Sequence, residues 1–90
     1  MGQKAEISWK RRAEDGERVE INARFFGSDW RFFHRGRRYD QWQPLAKPPL
    51  EDWLTLLDGV ERRIQRRLAK PEEGPRLRRR IKEMFPEADC

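Results

Sequence analysis

Between Ile7 and Phe32 the apolar side chains return at every second position, and turn chemistry interrupts them twice. Ile7 and Trp9 fall on one face of a first segment, and Val19, Ile21, Ala23 and Phe25 on one face of a second. A strand turns successive side chains to opposite faces, so this spacing predicts half-buried strands and argues against a helix. Glu14-Asp15-Gly16 lies between the two segments. A two-residue Asp15-Gly16 turn would set Trp9 opposite Asn22. A three-residue loop with Gly16 left-handed pairs Trp9 with Ile21 and Ile7 with Ala23. A slip of one residue sends every side chain to the wrong face, so the apolar pattern selects the longer loop.

The next punctuation, Gly27-Ser28, suits a two-residue hairpin turn. It pairs Phe25 with Trp30, Ala23 with Phe32 and Ile21 with His34. A further tight turn at Arg35-Gly36 would pair Phe32 with Tyr39 and Arg31 with Asp40. The expectation is an antiparallel meander over residues 5–42, four-stranded, or three-stranded if the last turn fails. Its apolar face is Ile7, Trp9, Val19, Ile21, Ala23, Phe25, Trp30, Phe32 and Tyr39.

After Gln43 the period changes. Pro44, Pro48 and Pro49 mark a stiff joint, and their spacing does not make a PxxP ligand. Pro48 and Pro49 suit a helix start, with Glu51 and Asp52 at its positive end. Leu50, Trp53, Leu54, Leu57, Val60, Ile64 and Leu68 form one helical stripe, which Gly59 could divide and Pro71 ends. A last helix, with Leu77, Ile81, Met84 and Phe85 as its stripe, stops at Pro86. The fold class is α+β: a two-layer domain, a four-stranded antiparallel meander followed by two or three helices packed on one face. It is expected as one domain over 1–90, with the sheet in 5–42, helices in 48–85 and disordered tails at 1–4 and 87–90. This element order occurs in many small bacterial modules and says little about function.

The chemistry-bearing residues are few. One His and one Cys cannot build a metal cluster, so no metal and no cofactor are expected. Ser8, Ser28 and Thr55 are the serine and threonine hydroxyls that could offer a nucleophile. No nucleophile motif or glycine-rich phosphate loop surrounds them. His34 falls on the apolar face, where a packed histidine is the simpler reading than a general base. Glu51-Asp52 and Glu72-Glu73 sit where helix ends favour acids. A non-enzymatic module is expected. The longest apolar run, Trp53 to Leu57, is far short of the roughly 20 residues of a span, and Met1 to Glu6 lack a signal-peptide core. A lone Cys90 fits an incidental thiol and a reducing, cytoplasmic setting; a monomer with no membrane partner is expected.

Charge is the distinctive property. Of the 21 basic residues 16 are arginine, and the net charge is +5. Residues 1–50 carry +4 of it. The outward face of the expected sheet collects Lys10, Arg12, Arg18, Arg24, Phe26, Arg31, Phe33 and Arg35. The expected register sets Arg24 opposite Arg31, a destabilising pair unless an anion intervenes. Phosphates would supply that anion, and rings on a sheet face take unpaired bases. The expected nucleic-acid-binding residues are Arg24, Arg31, Phe33, Arg35, Arg37, Arg38 and Trp42. Arg35-Gly36-Arg37-Arg38-Tyr39 lacks the aromatic of an RNP1 motif. The competing readings are a solvated face with arginine stems over Phe26 and Phe33, and a protein-interaction module for an acidic partner. The helical clusters Arg62, Arg63, Arg66, Arg67 and Arg76, Arg78, Arg79, Arg80, Lys82 read first as solvated faces, with a second phosphate-contacting surface or an acidic partner protein as the alternatives.

Overall fold

Ala13 and Glu17 close the first hairpin. A computed structural model describes residues 6–26, 29–36 and 40–88. The Ala13 N–H donates to the Glu17 carbonyl at 2.8 Å, and the Gly16 N–H donates to the Ala13 carbonyl at 2.9 Å. Gly16 has φ 86°, the left-handed conformation that closes a three-residue loop. Asp15 Oδ1 accepts the Glu17 N–H at 3.0 Å and stiffens the turn. Strands β1 (Glu6–Arg12) and β2 (Arg18–Phe26) follow in the register that sets Trp9 opposite Ile21 and Ile7 opposite Ala23. Strand β3 (Asp29–Arg35) returns with Phe25 opposite Trp30, Ala23 opposite Phe32 and Arg24 opposite Arg31. The expected turn residues Gly27 and Ser28 lie outside the described residues.

The fourth strand departs from expectation. β4 is only Gln43–Pro44, pairing His34 with Gln43 and Phe33 with Pro44. The Leu45 N–H extends the contact to the Phe32 carbonyl at 2.9 Å. The tight turn at Arg35-Gly36 therefore does not form, and Asp40 does not enter the ladder opposite Arg31. Residues 36–42 make a longer connection, and Tyr39 lies outside the described residues. Stretching a loop from two residues to seven costs about 1 kcal/mol in closure entropy. The longer loop brings Trp42 to two arginines, and such contacts are each worth about 0.5–1 kcal/mol at an exposed site. The two effects roughly offset.

The sheet order is β1-β2-β3-β4, all antiparallel. Ile21, Ala23 and Phe32 are buried. Trp9 meets Phe32 edge-on, centroids 6.1 Å apart, and Phe25 meets Trp30 at 5.1 Å. The chain divides into two compact units, Met1–Lys47 and Pro48–Cys90.

The second unit is two helices. α1 (Leu50–Gln65) begins after Pro49, whose fixed φ suits the entry, and carries Glu51 and Asp52 in its first turn. It runs unbroken through Gly59. Its buried residues are Asp52, Trp53, Leu56, Leu57 and Val60. The expected stripe is thus rotated: Leu56 is fully buried, whereas Leu54 is exposed. The helix also ends before Pro71. The Leu68 N–H donates to the Arg63 carbonyl at 2.7 Å and the Arg67 N–H to the Ile64 carbonyl at 3.0 Å. Arg67 has φ 62°. This is a Schellman stop with arginine where glycine is usual, and it leaves Leu68 beyond the helix and exposed.

α2 (Glu73–Met84) buries Gly74, Leu77 and Ile81, while Met84 is exposed. A Cβ on Gly74 would come within 3.2 Å of Ile64 Cδ1, so the glycine permits the close approach of α1. Arg78 and Glu61 tie the helices by an ion pair. After α2 the Ala88 N–H donates to the Phe85 carbonyl at 2.8 Å, while residues 1–5 and 89–90, Cys90 included, lie outside the described residues. A four-stranded antiparallel sheet followed by two helices makes the fold α+β. No helix among the described residues is long and apolar enough to cross a membrane. Among them no group of three His, Cys, Asp or Glu could hold a metal ion.

Candidate functional site

Alternation along β2 and β3 puts Glu20, Asn22, Arg24 and Phe26 on the same face as Arg31, Phe33 and Arg35. These side chains are not independently solvated. The Arg24 guanidinium lies over the Phe33 ring at 4.5 Å from its centroid and 6.0 Å from that of Trp42. Arg35 lies over Trp42 at 4.3 Å. Arg35, Trp42, Arg24 and Phe33 therefore form one alternating run of cations and rings.

The Arg24–Arg31 opposition is relieved by divergence along the strands. Arg24 turns toward Phe33, two pairs along the ladder in one direction, while Arg31 lies over Phe26, two pairs along in the other, at 5.6 Å. Arg24 is further fixed by Asn22: its Nε donates to Asn22 Oδ1 at 2.6 Å. The Asn22 amide donates in turn to Glu6 Oε1 and Ser8 Oγ, each at 2.7 Å. Asn22 is only 1% exposed, so these bonds satisfy a desolvated amide. Arg35 Nε donates to Glu20 Oε1 at 2.9 Å, with both side chains about one-quarter exposed or less. Both arginines are thereby anchored through Nε. Their terminal nitrogens make no hydrogen bond with the described residues.

Of the expected site residues, Arg24, Phe33, Arg35 and Trp42 come together. Arg31 shares their face but joins Phe26 instead. Arg37 and Arg38 lie outside the described residues. Asn22 and Glu20, which orient the two arginines, were not among the expected site residues. Ser8 standing opposite Asn22 was the available signal, because short polar side chains at one cross-strand pair can bond. His34 faces Ile21 across β2 and β3 and Gln43 across β3 and β4.

The same face holds a cleft of about 280 Å³ lined by Lys10, Arg18, Val19, Glu20, Arg35 and Gly36. In comparisons with known protein families, curated proteins and solved structures, the chain matches none.

Proposed function

We propose that the charged face of the sheet binds single-stranded nucleic acid, RNA or DNA, without catalysis. The observation that carries this reading is the run Arg35–Trp42–Arg24–Phe33, in which each cation is held against a ring. An arginine anchored through Nε presents terminal N–H donors that suit phosphate oxygens. The rings suit bases. Stacking a base on an aromatic side chain is worth about 1–3 kcal/mol, more than the roughly 0.5–1 kcal/mol of an exposed arginine–ring contact. An arriving base displaces a guanidinium from its ring, and the displaced guanidinium turns to the adjoining phosphate. Duplexes keep their bases stacked inside and cannot make this exchange, which favours single strands.

Fluorescence anisotropy with an internally labelled oligonucleotide tests the reading. Binding at low salt is expected, with log K falling against log salt by about 0.7 for each phosphate neutralised. Arg24→Glu with Arg31→Glu should abolish it. The exposed Arg31→Glu alone, which leaves the Asn22 network intact, should weaken it at unchanged circular dichroism. Absence of binding at low salt, or full binding by a folded double variant, overturns the proposal. Retention of an acidic protein from nuclease-treated lysate would favour protein recognition instead.

A further inference from the structure

We infer that the Lys10–Arg18–Arg35 cleft is a site for a terminal phosphate, the phosphomonoester at one end of a bound strand. This rests on the strand-binding reading and adds an end preference to it. The cleft draws on three strands: Lys10 from β1, Arg18 and Glu20 from β2, and Arg35 from β3. Lys10, Glu20 and Arg35 form one row across the sheet. Glu20 bonds Arg35, whereas Lys10 and Arg18 have no ion pair with a described residue. Next to that row Arg12 stands opposite Arg18, a like-charge pair with Arg12 bonded to the Gly16 carbonyl at 3.2 Å. Three cations against one carboxylate leave two positive charges.

That surplus selects among phosphates. A phosphodiester within a strand carries one negative charge and is tethered on both sides. A terminal phosphomonoester carries about −1.5 to −2 at pH 7 and projects on a single link, so it can enter a cleft and match its charge. Position agrees. Arg35 lines the cleft and lies over Trp42, which puts the terminal base beside the first ring of the run.

The test compares one oligonucleotide sequence with a 5′-phosphate, a 3′-phosphate, or hydroxyls at both ends. One phosphorylated form should bind about tenfold tighter than the hydroxyl form, the effect of a single charge-assisted contact. Which form gains identifies the end. Lys10→Gln with Arg18→Gln should remove the preference. Equal binding of all three forms overturns the cleft assignment and leaves strand binding standing. If no oligonucleotide binds, strand binding fails, and adenosine monophosphate titrated into labelled protein decides the cleft separately. Amide shifts at Val19, Glu20 and Gly36 would sustain a phosphate site there, and unmoved amides would overturn it.

Discussion

Asn22 does more than its place in the alternation suggests. It sits on the charged face, where period-two reasoning expects solvent, yet it is buried and bonded to Glu6, Ser8 and Arg24. Asn22→Leu keeps the size of the side chain but removes both donors and the acceptor. The orphaned groups should cost about 1–3 kcal/mol. A lower urea midpoint at unchanged slope checks this, and an unchanged midpoint would mean the network contributes nothing. Loss of the Asn22 anchor should also loosen Arg24 above Phe33. Residue-scale detail of this kind was only partly legible in the sequence. The pairing of Arg24 with Arg31 followed from register, but the turn of each guanidinium toward a different ring depends on side-chain geometry that alternation does not encode.

The first hairpin, announced by Gly16, was legible, whereas the fourth strand and the end of α1 were not. Gly16 and the apolar period together specify the first hairpin, because only one loop length keeps Trp9 and Ile21 on one face. Gly36 offered an equally good turn signal, and the chain does not use it there. The two cation–ring contacts reached by the longer loop roughly offset its extra closure cost, so the local turn signal alone does not decide. The end of α1 was misplaced for a related reason. Arg67 occupies the left-handed stop position, and a stop without glycine leaves no mark in composition. Left-handed backbone costs a non-glycine residue about 1–2 kcal/mol. Arg67→Gly should therefore stabilise the protein, by about 0.5–1 kcal/mol once the greater freedom of the unfolded glycine is discounted. Thermal unfolding should show a higher midpoint, and a lower one would refute the strain.

At the scale of the molecule, charge acts against folding. Arg24 faces Arg31 and Arg12 faces Arg18 across neighbouring strands, in a chain of net charge +5. The Debye length falls from about 30 Å at 0.01 M salt to about 10 Å at 0.1 M. Screening should relieve this repulsion, so the melting midpoint is expected to rise over that range. The exposed pair Arg62–Asp58 at 3.1 Å would weaken at the same time, but exposed pairs contribute little. A falling midpoint would show that attractive pairs dominate. The proposed oligonucleotide binding would have the opposite salt dependence, so stability and affinity should separate cleanly in one titration series.

The sheet has two outer strands, and β4 is the shorter. It spans two residues and one of them is Pro44, which has no N–H to offer. A further chain approaching that edge meets few donors to pair with. At the other edge, β1 sets Lys10, Arg11 and Arg12 in sequence, and an incoming strand would have to accommodate their charge. Brevity with proline on one side and cationic crowding on the other are defences against edge-to-edge polymerisation. The basic residues of β1 thus make the longer edge of the sheet a poor template for a second copy of the chain.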